Sequence, residues 1–283
     1  MKSVIALSGL AMASTAAART LTVYNACPFT IWPALFTSSG GRPSQPTGWT
    51  AASFTKVTFD VPSDWDGRVW GRRNCNFGTN PGPNSCLDGG CNGGLVRRVK
   101  SSSHFILIST KALRREHRHW RSPPPPSPSS TSTAAEPTSS MVCNSLDQMA
   151  LAHIAPVSLV DGYNLPMRID NNVGCGIPSC PVDLGPNCPA DQKGPFDSSG
   201  FPVGCKSACT VDALAGNVNN NPNCCTGTHD TQATCPASGV RNYSYFKSNC
   251  PNAYAFAYDE PSGTALWTCP TNKNAAYTIT FCP

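Results

Sequence analysis

The stretch RTLTVYNACPFTIWPALF, residues 19–36, alternates apolar residues such as Leu21 and Val23 with polar or small neighbours. It is rich in β-branched and aromatic residues, and this composition with a period of two is typical of half-buried β-strands. Cys27 and Pro28 interrupt the alternation. The stretch therefore predicts two strands joined near these two residues.

Other short stretches continue this pattern. Strands are predicted in SFTKVTFDVP (53–62), GRVWGRRNCNF (67–77) and AAYTITFCP (275–283). In the last of these, Tyr277, Ile279 and Phe281 share one face. None of the three stretches has the 3.6-residue period of a long helix.

A second kind of composition begins near residue 181. Between 181 and 240 the chain is rich in Gly, Pro, Asn and Cys, which is typical of loops stapled by disulfides. Short helices are predicted at KSACTVDALAG (206–216) and NYSYFKSNC (242–250). The sequence thus predicts a mainly β sandwich with a loop-rich second lobe.

Residues 1–18 have the features of a secretory signal peptide. Met1 and Lys2 precede the apolar run VIALSGLAMA and small residues that end at Ala18, after which we expect cleavage. No later window approaches the ~20 uninterrupted apolar residues of a membrane span. These features predict a soluble protein that is secreted to the extracellular space or cell wall.

The 16 cysteines predict disulfide bonds, because an exporting compartment is oxidising and the number is even. A zinc site is the weaker alternative, since the chain has no C-x-x-C. The closest pairs are those in CLDGGC, CGIPSC and CKSAC, and the adjacent Cys224 and Cys225. No cofactor and no metal are expected.

Residues 96–156 differ from the rest of the chain. They hold eight of the 21 Lys and Arg and three of the 16 Asp and Glu, so their net charge, eight minus three, equals the whole formal charge of +5. They contain none of the 23 glycines, and the run PPPPSPSSTSTAAEPTSS within them is of low complexity. Such a composition favours an extended, solvated chain.

A basic run, KALRREHRHWR at 111–121, lies in this segment and raises two alternatives to a solvated tail. Clustered Lys and Arg around an aromatic residue can bind phosphates, but an exported protein rarely meets nucleic acid, and no nucleic-acid partner is expected. Glu116, His117 and His119 could suggest a metal site. Side chains in such an exposed run are more often free of metal.

The chain resembles the thaumatin-like, or pathogenesis-related, proteins. The resembling stretches cover residues 21–95 and 157–283 in the family's order. They are TVYNACPFTIWPA, WDGRVWGRRNCNF, VSLVDGYNLPM, CKSACTVDAL, CCTG, FKSNCPNAYAFAYDEPS, TCP and the terminal FCP. The resemblance implies a β-sandwich core, a disulfide-rich lobe of loops and short helices, a small hairpin lobe, and a cleft between the first two.

The resemblance also implies seven disulfides: Cys27–Cys282, Cys75–Cys86, Cys175–Cys269, Cys180–Cys250, Cys188–Cys205, Cys209–Cys224 and Cys225–Cys235. An eighth family partner for Cys91 is missing, and Cys143 makes the cysteine count even from within the atypical segment. Whether these two pair stays open.

The family carries an arginine, a glutamate and three aspartates in its cleft. The resemblance places Arg68, Asp161 and Asp259 at three of these positions, so we expect all three to bind substrate and the two aspartates to be catalytic. The stretch that carries the family glutamate is absent, and Pro156 stands where the remaining aspartate is expected.

Each of these residues also has a purely structural interpretation. Asp161 could hold a turn before Gly162, Asp259 could cap one before Pro261, and Arg68 could pair with a carboxylate as part of the fold. The sequon NYS makes Asn242 a candidate for glycosylation.

The resemblance stops near Leu95 and resumes at Val157. We therefore expect a signal peptide at 1–18 and a thaumatin-like domain at 19–283, interrupted at 96–156 by a non-family, disordered segment. A translated intron or a reading-frame error in the gene model, rather than in the gene itself, explains the change in composition, charge and glycine content, and a real insertion is the rival explanation.

Two functions are expected from the resemblance. In the first, the protein is a monomer that binds cell-wall β-1,3-glucan, and weak endo-β-1,3-glucanase activity is its accompanying enzymatic hypothesis. Since hydrolysis normally uses two carboxyls, we expect this chain to have lost most or all of that activity. The alternative is a defence protein that permeabilises fungal membranes without hydrolysis. A third view is that the chain as written does not fold.

Overall fold

The computed structural model describes residues 18–78, 83–90, 95 and 156–283, with the backbone of 148–150. Several predictions lie outside these residues: the signal peptide up to residue 17, nearly all of 96–156, and the residues Cys91, Glu116, His117, His119 and Cys143.

The secondary structure of the described residues is mainly β. The strands are β1 (Arg19–Asn25), β2 (Ala34–Ser39), β3 (Thr55–Val61), β4 (Asp66–Trp70), β5 (Arg73–Cys75), β6 (Cys86–Asp88), β7 (Gln148–Ala150), β8 (Val157–Ser158), β9 (Gly162–Tyr163), β10 (Met167–Asn171), β11 (Ser179–Cys180), β12 (Cys205–Lys206), β13 (Ala253–Tyr254) and β14 (Tyr277–Phe281). The α-helices are α1 (Ala208–Leu214) and α2 (Tyr243–Asn249). Both helices fall within the stretches predicted as helical.

Two sheets enclose the main core. One has five strands in the order β11-β10-β14-β1-β3, and the other has the order β2-β4-β7. Side chains from both sheets belong to one buried cluster, including Leu21 and Ile279 from the first sheet, Leu35 and Val69 from the second, and Trp65 before β4. The alternation in β1 is confirmed. In β14 the predicted face of Tyr277, Ile279 and Phe281 is buried, and Thr280 on the opposite face is buried as well.

The turn after β1 differs from the prediction in one respect. The second strand does not begin directly after Pro28, because β2 starts at Ala34 and Ile31 forms only an isolated bridge with Ala51. Prolines at 28 and 33 have no N–H for a ladder, which accounts for the delay. The turn is held instead by Asn25, which is 0 % exposed and whose side-chain nitrogen donates to three backbone carbonyls.

The loop-rich lobe is cross-linked covalently. The described residues contain the seven disulfides that the resemblance implies, four of them in this lobe: Cys180–Cys250, Cys188–Cys205, Cys209–Cys224 and Cys225–Cys235. The others are Cys27–Cys282, Cys75–Cys86 and Cys175–Cys269. Among the described helices, none is long and apolar enough to cross a membrane.

Candidate functional site

Arg68 lies in the middle of β4, the central strand of the three-stranded sheet. Its backbone is in register with Phe36 of β2 on one side and Gln148 of β7 on the other. Its neighbour Val69 is 0 % exposed in the core, so the alternation of the strand places Arg68 on the opposite, half-buried face. The sheet therefore presents this guanidinium outside the sandwich core.

Asp161 occupies the tight turn between β8 and β9. Gly162 follows with a φ of +118°, a backbone conformation that favours glycine, and its N–H donates to the Leu159 carbonyl at 2.9 Å. The Thr210 hydroxyl of α1 donates to the carbonyl of Asp161 at 2.7 Å. The turn predicted at this position is present, and α1 anchors it through the backbone carbonyl of Asp161.

The Asp161 carboxyl and Arg68 act on each other electrostatically. Burial raises the pKa of Asp161 to about 6, and the positive charge of Arg68 opposes part of this rise. By surface area the residue as a whole is half-buried, while its carboxyl is surrounded by protein. A carboxyl of this kind exchanges protons in the mildly acidic range.

Asp259 has very different surroundings, because it is 1 % exposed. Lys247 Nζ of α2 donates to its Oδ2 at 2.9 Å, and the Ala255 N–H donates to the same oxygen at 2.9 Å. The Tyr243 hydroxyl donates to Oδ1 at 2.7 Å. The carboxylate thus ties α2 to the chain that follows it, and both of its oxygens are engaged.

The sequence-predicted residues therefore fall into two groups. Asp161 is influenced by the charge of Arg68, whereas Asp259 is ion-paired with Lys247 and hydrogen-bonded to Tyr243. The turn role suggested for Asp259 is carried by its backbone carbonyl, which accepts hydrogen bonds from Ser262. Pro156, at the position of the missing family aspartate, is buried.

Asp88 is an ionisable residue that the sequence did not single out. Burial raises its pKa to about 7, opposed by a 2.8 Å hydrogen bond from the Gly89 N–H and by the charges of Arg73 and Lys206. Its Oδ2 lies close to Gly204, where an added Cβ would be only 2.3 Å away, so a larger residue at 204 would displace the Asp88 carboxyl. The spacing of the cysteines in CLDGGC carries no signal for the aspartate between them.

Asn242 precedes α2 with a φ of +57°. Its side-chain nitrogen donates to Oε1 of Gln192, a residue that is 0 % exposed, at 2.5 Å. A glycan on this nitrogen has to accommodate that bond, and glycosylation of Asn242 stays a prediction. In the described part of the chain, no three His, Cys, Asp or Glu side chains converge as metal ligands would.

Comparison with known proteins agrees with this architecture. The thaumatin family model matches residues 25–111 and 129–283. Within the atypical segment, the match omits only residues 112–128. The chain belongs to the thaumatin family.

Its relatives include two plant proteins named thaumatin-like protein 1. The one from Pyrus pyrifolia is 33 % identical over 93 % of this chain and 90 % of its own length. The one from Castanea sativa is 34 % identical over 100 % of both chains.

A third relative, from Prunus avium, is named a glucan endo-1,3-beta-glucosidase. It is 30 % identical over 94 % of this chain and 91 % of its own length. Among solved structures, a thaumatin-like xylanase inhibitor covers 93 % of this chain and 99 % of its own, with 15 % identity and a TM-score of 0.37. A TM-score this low carries no argument.

Proposed function

We propose that the protein is secreted and binds cell-wall β-1,3-glucan at the surface around Arg68 and Asp161, with little or no hydrolysis. The observation that carries this proposal is that the positive charge of Arg68, on the face of β4 outside the core, acts on the carboxyl of Asp161. The relative named a glucan endo-1,3-beta-glucosidase supports the choice of polysaccharide. Seven disulfides in the described residues support an oxidising destination outside the cell.

Hydrolysis of a glycosidic bond normally uses two carboxyls that flank it. With a pKa near 6, Asp161 could donate a proton to a leaving oxygen in mildly acidic solution. Asp259, predicted as the second catalytic and substrate-binding carboxylate, would first have to release Lys247 and Tyr243. This arrangement supports binding better than turnover.

Binding is tested by co-sedimentation with insoluble β-1,3-glucan. Asp161→Asn and Arg68→Met should each weaken retention about 10-fold or more, because a hydrogen bond to a charged group contributes about 1.5–3 kcal/mol. Asp170→Asn is the matched control, since Asp170 is ion-paired with Arg168 at 2.9 Å on the outer face of the other sheet.

The same preparations should release reducing ends from soluble β-1,3-glucan at or near background between pH 4 and 7. Equal retention of Asp161→Asn and Asp170→Asn would place the binding site elsewhere. Rapid hydrolysis that Asp161→Asn leaves unchanged would refute the assignment of that carboxyl.

A further inference from the structure

Asp88 lies where the chain that carries Arg68 meets the chain that carries Asp161. It is the last residue of β6, and its backbone is in register with Arg73 of β5. The disulfide Cys75–Cys86 closes this two-stranded hairpin. Because β5 begins only three residues after the end of β4, the hairpin is held close to the strand of Arg68.

On the Arg68 side, the contacts run through Gly89. Trp70, the last residue of β4, donates its indole N–H to the Gly89 carbonyl at 2.9 Å. Gly89 has a φ of +72°, and a Cβ there would lie 2.6 Å from the Gly71 carbonyl oxygen, so its backbone packs directly on the end of β4. Asp88 is thereby fixed, through the residue that follows it, to a tryptophan two positions after Arg68.

On the Asp161 side, the carboxyl of Asp88 makes the contact itself. Its Oδ2 lies close to Gly204, where an added Cβ would be only 2.3 Å away. Gly204 precedes β12, which pairs with β9 so that Lys206 is in register with Gly162. Because Gly162 follows Asp161 directly, the Asp88 carboxyl packs against the segment that neighbours the Asp161 turn.

The ionised form of Asp88 is only partly compensated in this position. The Gly89 N–H donates to its Oδ1 at 2.8 Å, and the charges of Arg73 on β5 and Lys206 on β12 attract it. Burial outweighs these interactions and raises the pKa of Asp88 to about 7. Its neutral form therefore contributes stability that is full below about pH 4 and is lost as the pH rises through about 7.

We propose that Asp88 is a positioning residue that holds the strand of Arg68 against the turn of Asp161, and that it does so best when its carboxyl is neutral. A neutral carboxyl packs on the Gly204 backbone at little cost, whereas an ionised one is drawn toward water and the two cations. Because the proposed site uses Arg68 and Asp161 together, glucan retention should be stronger in acidic than in alkaline solution. The effect on glucan rests on the proposed function, whereas the positioning itself does not.

The first measurement requires no polysaccharide and follows two NMR signals against pH in the Asp161→Asn protein, which lacks the titration of Asp161 itself. The indole N–H of Trp70 reports on the Arg68 side of Asp88, and the backbone N–H of Gly162 reports on the other side. We expect both signals to shift with a midpoint near pH 7, and to lose this shift when Asp88→Asn is added. A Gly162 signal that stays constant through this range would overturn the proposal.

Two further variants sharpen this measurement. In Gly204→Ala the added methyl displaces the carboxyl of Asp88, so the midpoint should fall toward the ordinary value of about 4. Asp197 also acts on Arg73, but its carboxyl is bonded to Ser199 within its own turn, so the matched control Asp197→Asn should keep the midpoint near pH 7. An unchanged midpoint in a folded Gly204→Ala protein would contradict the contact, and thermal unfolding establishes that each variant is folded.

The second measurement is co-sedimentation of the wild type and Asp88→Asn with insoluble β-1,3-glucan between about pH 5 and 9. Both proteins keep Asp161, so its own titration cancels in the ratio of their retentions. We expect equal retention at the acidic end and about 3- to 10-fold weaker retention of the wild type at the alkaline end.

The outcomes separate the positioning role from the proposed function. If the wild type binds and the ratio stays constant with pH, the positioning role is overturned and the proposed function stands. Loss of binding in Asp88→Asn at the acidic end would also overturn the positioning role, because the neutral side chain should suffice. If the wild type binds no β-1,3-glucan at any pH, the proposed function fails. The positioning role then stands if both NMR signals titrate through Asp88, and falls if the Gly162 signal does not.

Discussion

The surroundings of Asp161 and Asp259 differ, although the two residues carry the same side chain. Asp161 is a half-buried residue, and the positive charge of Arg68 acts on its carboxyl. Asp259 is enclosed, with Lys247, Tyr243 and a backbone N–H bonded to its oxygens. A buried carboxylate whose oxygens are all hydrogen-bonded links the elements that supply its partners. A buried carboxylate with less compensation has a raised pKa and takes up a proton more readily.

The substitution with the largest expected effect is Asp259→Asn. It leaves Lys247, whose side chain is 14 % exposed, without its carboxylate. Removing one partner of a buried ion pair costs about 3–5 kcal/mol, so the thermal midpoint should fall by about 10 °C or more.

The double variant Asp259→Asn with Lys247→Met serves as the control for this first prediction. It removes the orphaned cation and should recover part of the lost stability. A single Asp259→Asn variant with the stability of the wild type would show that the ion pair is not what holds α2.

The next effect in size is that of Tyr243→Phe, which removes one hydrogen bond to Asp259 and keeps the aromatic ring. The hydroxyl lies 2.7 Å from Oδ1, and the ring packs edge-on against Phe256 with centroids 5.4 Å apart. We expect a loss of about 1.5–3 kcal/mol in urea unfolding, with the m-value unchanged. Tyr245→Phe, which removes a hydrogen bond to the Leu184 carbonyl, is the matched control for a neutral acceptor and should cost less.

Asp161→Asn should have the smallest effect, and of the opposite sign. Because burial raises the pKa of Asp161 in the folded protein, its contribution to stability is full below pH 4 and is lost as the pH rises through about 6. The wild type should thus lose about 1–3 kcal/mol across this window, and Asp161→Asn should remove that loss and be the more stable protein at pH 7. Parallel stability curves for the two proteins would contradict a raised pKa.

Much of the fold could be predicted because it depends on local patterns. The period of two in β1 and β14 identifies their buried faces, and the stretches predicted as helices contain α1 and α2. The delayed start of β2 was missed, because it depends on where prolines 28 and 33 fall relative to a ladder with Ala51.

The site could be predicted only in part. Resemblance identified Arg68, Asp161 and Asp259, but the partners of each depend on tertiary packing. Lys247 meets Asp259 because α2 folds back on the chain that follows it, and no periodicity signals that contact. Asp88 lies across from Arg73 only through the register of the β5–β6 hairpin, which a cysteine spacing does not reveal.

The most direct test of this contrast is the titration of the Asp161 carboxyl, followed by NMR on labelled protein with and without a soluble β-1,3-glucan oligosaccharide. Asp161→Asn identifies the signal. We expect a midpoint near pH 6 in the free protein and a changed midpoint when the oligosaccharide is bound, because a ligand at Arg68 alters the charge and solvent around the carboxyl. A midpoint near pH 4 that the oligosaccharide leaves unchanged would contradict both the buried state of this carboxyl and its place in the binding site.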